Sequence, residues 1–214
     1  MSWHEHERSA LVQALTEASP AAPTLCEGWQ ARHLAAHVVL RENAPLVAAG
    51  VAVPLLSGRT ERAIGALADS AVEPAGYADL IARVAAGPPR WQPMSWAGDA
   101  GNLLEFFVHT EDVRRGAGAA GPRTLDPALT AELWHQLVRT AALMYRGARV
   151  GVVLVVPGGP RREVRRPRGR AGTVVVRGEV GEVILHAFGR TAAARVHVLG
   201  DPVDVTALAE ATAS

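Results

Sequence analysis

The 214-residue chain has one cysteine, no lysine and few aromatic residues, 5% in all. A lone thiol, Cys26, excludes an internal disulfide and with it the stapled scaffolds of small secreted domains, so the expected compartment is the reducing cytoplasm. All 22 basic residues are arginine, and with the many alanines this reads as compositional bias rather than a functional signal. The formal net charge is only +1, so no global field argues for nucleic acid or an anionic membrane surface. Long apolar runs are also missing. The nearest, Ala44 to Leu56, is interrupted by Gly50 and Pro54 and is too short to span a bilayer. Met1 to Arg8 has no apolar signal region. What remains is ordinary globular material, 49% hydrophobic and 20% charged.

The most informative stretch is Asn102 to Arg115. Leu103, Leu104, Phe106, Phe107, Val108 and Val113 spread around a helical circumference, which predicts a buried helix. Glu105 and His109 are four residues apart and share a face, with Asp112 three residues further on. A buried carboxylate and imidazole are costly unless paired, hydrogen-bonded or bound to a metal, and Glu and His at this spacing can supply two ligands to one divalent ion.

Helices are expected at 3–18, about 30–42, 59–70, 76–86 and 127–145 from apolar spacing and from Pro and Gly punctuation. Ala44 to Leu56 is open between helix and packed loop. Asp99 or Asn102 is a candidate cap for the central helix, and Asp126-Pro127 is a strong helix start. The pattern changes after Gly147: strands are expected at 150–156, 161–166, 173–177 and 194–199, with helices at 178–188 and 203–211. The domains are therefore drawn as a helical bundle over 1–147 and a small α+β domain over 148–214.

A third ligand is needed beside Glu105 and His109. His37 fits, lying on an otherwise apolar helix face, because two helices of a bundle can aim such side chains at one point. A His-Glu-His set leaves coordination positions open, as catalytic sites do. The plain alternative is that each histidine is a satisfied core or surface residue. His33, one turn before His37, either faces solvent or joins the set. Asp112 either holds the far nitrogen of a liganded His or pairs with Arg115 or Arg41, and Glu111 is expected to be solvated. Cys26, just before a helix start, reads as a small packed thiol rather than a nucleophile. His4 and His6 are assigned to a loose terminus, and His135, His186 and His197 to surface or interface. The arginines from Arg161 to Arg170 have no interleaved aromatics to stack bases and read as a solvated hairpin.

Two motifs carry a family likeness. Thr24-Leu-Cys-Glu-Gly-Trp29 followed by Arg32-His-Leu-Ala-Ala-His37, and Glu105-Phe-Phe-Val-His109 followed by Thr-Glu-Asp-Val-Arg-Arg, resemble the two signatures of the mycothiol-dependent maleylpyruvate isomerase amino-terminal domain. That domain is one of the DinB-like metal-binding four-helix bundles. The resemblance implies His37, Glu105 and His109 as the metal ligands, a mainly α fold, and a sterol-carrier-like α+β C-terminal domain, whose likeness lies from Gly181 to Arg190. The chain looks closest to an actinobacterial metal-binding branch. One departure stands out: family members more often have Asp where this chain has His33.

The function that follows is a zinc-dependent transferase or isomerase in which a small thiol, mycothiol by resemblance, is activated as thiolate against a small electrophile. Arg41, Arg114 and Arg115 are candidates for holding a carboxylate of thiol or substrate. The alternatives are a hydrolase using metal-bound water, with Glu111, Asp112 or Glu42 as base, and a non-catalytic binding protein with a closed metal site and an apolar ligand cupped by the C-terminal domain. Expected partners are small molecules, without nucleic acid or membrane, for a monomer or homodimer.

Overall fold

The computed structural model describes residues 2–44, 57–89, 91–92, 98–118 and 120–212. The stretch Ala44 to Leu56, left open between helix and loop, falls almost wholly outside the described residues. The described chain divides into two compact units, 1–121 and 122–214.

Among the described residues of the first unit the helices are α1 (Trp3–Glu17), α2 (Ala31–Asn43), α3 (Ser57–Asp69), α4 (Pro74–Ala86) and α5 (Gly98–Arg115). Four of them close a ring, in which α1 packs on α5, α5 on α2, α2 on α4 and α4 on α1, while α3 lies against α2. This is the expected four-helix bundle. Leu11, Leu15, Leu34, Val38, Tyr77, Leu80, Val84 and Phe106 fill it, and the Tyr77 hydroxyl donates to the Leu15 carbonyl at 3.0 Å, tying α4 to α1. A second tie is polar: Arg8 of α1 bonds Glu42 of α2 and the Val84 carbonyl of α4, and its guanidinium sits 4.5 Å over the Phe106 ring. The amino terminus is held rather than loose, because His4 bonds Asp99 through both its backbone N–H and its ring. Asp99 thus lies in the first turn of α5 and serves α1, where a capping role was one expectation.

The second unit contains α6 (Pro127–Met144), β1 (Gly151–Val155), β2 (Arg161–Arg165), β3 (Thr173–Arg177), α7 (Val180–Ala187), β4 (His197–Leu199) and α8 (Pro202–Thr212). Its sheet has the order β2-β1-β3-β4. β1 pairs antiparallel with β2 and parallel with β3, and β3 pairs antiparallel with β4. Val152, Leu154, Val174 and Val176 are buried, as are Val183, Ile184 and Leu185 of α7. Asp126 caps α6 through the backbone N–H groups of Ala128 and Leu129.

The division differs from the expected one at 147. The sequence changes character where strands begin, but the apolar side of α6 packs on α7 and β2, so the long helix belongs with the second unit. The arginine run forms the exposed edge strand β2 and the turn after it, with Arg165 reaching back to the Ala148 carbonyl at 2.9 Å.

Candidate metal centre

α2 and α5 are neighbours in the ring, and that contact sets His37 beside the Glu105 and His109 pair. One potential ligand atom from each of His37, Glu105 and His109 lies within 4.8 Å of the others. The His37 and His109 rings meet edge-on, 5.1 Å between centroids. On its other side His37 meets the Trp29 ring at 5.3 Å. Both histidines are buried. The Glu105 side chain keeps 35% exposure, so the set is reached by solvent from the carboxylate side.

The two nitrogens of His109 have different surroundings. Nδ1 lies 3.0 Å from Oδ2 of the fully buried Asp112. Nε2 lies 3.3 Å from Glu105 Oε2, yet it is buried with no hydrogen-bond partner among the described residues. A buried nitrogen left in this way normally costs stability, whereas a cation bound at Nε2 would satisfy it. The electrostatics point the same way. Burial disfavours charge on His109, but Asp112 and Glu105 outweigh it and hold the ring up to about 9. Burial likewise raises Glu105, but the His109 ring beside it, with Arg41 and His37 beyond, pulls its carboxyl down to about 2. Two carboxylates converging on one buried ring make a place that favours positive charge. The donor set and the Asp-held imidazole both fit a divalent ion.

His33 is not part of this cluster. Its Nδ1 accepts the Gln30 N–H at 3.3 Å, at the start of α2. Burial first, and Arg32 second, lower its pKa. Arg41 stands at the site: its Nε is 3.9 Å from Glu105 Oε2, while its other nitrogens bond Asn102 at 2.9 Å and the Gly101 carbonyl at 2.6 Å. Arg114 and Arg115 are turned instead to Glu111. Glu111 is therefore fully buried in an ion-pair network, not solvated as its position in the sequence had suggested.

Sequence reasoning missed two further placements. Cys26 is more than a packed thiol, since its Sγ lies 3.3 Å from Asp112 Oδ2. A second donor group, Cys26, His109 and Asp112, meets the same 4.8 Å spacing. In the second unit His186 is buried rather than on the surface and bonds the Tyr145 hydroxyl at 2.9 Å.

Fold and site together define a helical-bundle protein with a His-Glu-His donor set of the kind that holds a divalent ion. Residues 3–114 match the profile of the mycothiol maleylpyruvate isomerase N-terminal domain, and the chain belongs to that family. It is also similar in fold to a crystal structure of a histidine-to-alanine mutant of the mycothiol-dependent maleylpyruvate isomerase, with a TM-score of 0.57 and 18% identity over 92% of this chain and 90% of that one. A second crystal structure of the mycothiol-dependent maleylpyruvate isomerase is similar over the same shares at 18% identity, with a TM-score of 0.48. No curated protein sequence matches the chain. No helix among the described residues is long and apolar enough to cross a membrane.

Proposed function

We propose that this protein is a metal-dependent thiol transferase or isomerase, using mycothiol or a similar small thiol against a small electrophile. The observation that carries the reading is the His109 ring: Nδ1 secured by Asp112, Nε2 buried without a hydrogen-bond partner among the described residues and 3.3 Å from Glu105 Oε2. A zinc or similar divalent ion held by His37, Glu105 and His109 would lower the pKa of a bound thiol, as it lowers that of water to about 7 in good zinc sites.

The chain's own residues supply the rest. Asp112 keeps its bond to Nδ1 and so fixes the imidazole's orientation. Glu105 contributes negative charge at the solvent-reached side. Arg41, nearest of the three candidate arginines to Glu105, is suited to hold a carboxylate of thiol or substrate. The thiol gives up its proton, and its sulfur donates a pair to an electrophilic carbon to form a C–S bond. If that bond persists and the carbon skeleton takes up a proton, the outcome is transfer. If it breaks again after rotation about the adjacent C–C bond, the outcome is isomerisation.

The hydrolytic alternative needs a general base from Glu42, Glu111 or Asp112. Each is committed: Glu42 to Arg8, Glu111 to Arg114 and Arg115, Asp112 to His109 and Cys26. A closed structural site needs a fourth protein ligand, and His33 is engaged at the start of α2. Both facts support the thiol reading.

The test is elemental analysis of the purified protein beside His37→Ala and His109→Ala, followed by mycothiol consumption with maleylpyruvate and other small electrophiles. About one equivalent of metal, lost in both variants, together with metal-dependent thiol turnover, is expected. Metal retained in both variants would overturn the site, and a loaded protein inert with every thiol offered would leave it a binding protein.

A further inference from the structure

We infer that Cys26 is a positioning residue for the metal centre: its thiol helps pin the Asp112 carboxylate that in turn orients His109. The inference deepens the proposed function and rests on it. Asp112 Oδ2 is close to two donors, His109 Nδ1 at 3.0 Å and Cys26 Sγ at 3.3 Å. The S–H is a weak donor. Its value here is direction, since two donors on one oxygen restrict rotation of a carboxylate that is wholly buried. The far end of the chain of contacts is functional in shape: His109 is itself more than nine-tenths buried, and its Nε2, without a hydrogen-bond partner among the described residues, faces Glu105 at 3.3 Å.

The segment that carries Cys26 is built to hold still. Thr24 Oγ1 accepts the Cys26 N–H at 3.2 Å and donates to the Trp29 carbonyl at 2.9 Å. The Trp29 N–H returns to the Cys26 carbonyl at 3.0 Å. Gly28 sits at φ +74°, a backbone conformation costly for other residues. The turn is then fastened to α5 by the Leu25 N–H, which donates to the Asp112 carbonyl at 3.0 Å. It lies so close to the end of that helix that a Cβ on Gly116 would come within 2.0 Å of the Pro23 carbonyl oxygen. Trp29, at the other end of the turn, packs on His37. One self-bonded turn therefore touches a support of each histidine in the donor set.

The size of the effect follows from distance. Removing a group that directly orients a ligand typically costs 10–100-fold in metal affinity. Cys26 acts one step further out through a weaker donor, so about three- to tenfold is expected.

Zn²⁺ affinity, measured by competition with a chromophoric chelator, is compared in the intact protein, Cys26→Ala and Cys26→Ser. Cys26→Ala should weaken binding three- to tenfold, and Cys26→Ser, which keeps an O–H donor, should return to within about twofold. Equal affinity in Cys26→Ala and the intact protein, or Cys26→Ser as weak as Cys26→Ala, would overturn the assignment. Cobalt substitution guards against the other role: a thiolate-to-cobalt charge-transfer band, lost in Cys26→Ser, would make Cys26 a ligand rather than a support. A second readout needs no metal. The His109 Nδ1–H proton resonance should be sharp and slow to exchange in the intact metal-free protein and Cys26→Ser, and broadened in Cys26→Ala. If the intact protein binds no zinc, the proposed function fails, and this resonance alone decides whether Cys26 positions Asp112 and His109; an unchanged resonance in Cys26→Ala rejects it.

Discussion

His109 in the first unit and His186 in the second are both buried, and the two are stabilised in opposite ways. His109 lies between two carboxylates, Asp112 and Glu105, which hold it charged up to about 9. His186 meets a phenol, Tyr145, at 2.9 Å, and burial drives its pKa down to about 4. Both are almost out of solvent. The difference is the neighbours, and it separates a place arranged for a cation from a polar pair that finishes a core. A buried neutral histidine needs one hydrogen bond to be tolerable. A pair of acids around a buried imidazole needs positive charge.

The comparison breaks most completely at the ligands. His109→Ala should remove bound metal altogether, while His186→Phe should leave the metal content unchanged and show its effect in unfolding. Elemental analysis of both variants, with denaturant melts alongside, checks the pair. Metal loss in His186→Phe at full folded fraction would erase the distinction. Next in size is Asp112→Asn, which keeps the shape but removes the charge facing Nδ1. It should weaken metal binding by about 10–100-fold, read by the same chelator competition.

Tyr145→Phe tests the other side. It deletes the hydroxyl beside His186 Nδ1 and leaves that buried nitrogen without the partner it has here. The cost should be about 1–3 kcal/mol, the penalty of an unsatisfied buried group, seen as a lower denaturant midpoint at unchanged m-value. Metal affinity should not move.

Half of this contrast was legible in the sequence. Glu105, His109 and Asp112 share a helix, so spacing alone put them on one face, and Asp112 as the support of His109 was one of two readings open at that stage. His37 required the bundle's pairing of α2 with α5, which the apolar face around it made reasonable. What could not be read were contacts made by tertiary packing of single residues. Cys26 reaches Asp112 from a turn 86 residues away in sequence. Glu111, beside Asp112 on α5, turns out to be buried because Arg114 and Arg115 wrap it, and helical periodicity does not distinguish that from a solvated acid. His186 looked scattered because its partner is 41 residues distant. The compact units part at 121/122 rather than at 147 for a related reason: a change from helix to strand residues marks a change of local structure, while the parting of contacts depends on where the apolar side of α6 packs.

The last comparison is a pH dependence, and its direction separates the two histidines. The folded-state pKa of His186, about 4, lies below the value of about 6.5 for an unperturbed histidine. Between those two values the unfolded chain binds a proton that the folded chain refuses, so stability rises with pH across that window. The stabilisation is complete above about 6.5, declines as the solution is acidified toward 4, and below 4 this group adds no further slope. Denaturant midpoints measured from pH 7 to pH 4 in the intact protein and in His186→Phe should therefore converge on acidification, with the variant lacking this part of the slope. Parallel curves would mean that His186 titrates as it does in the unfolded chain and that burial does not hold it neutral.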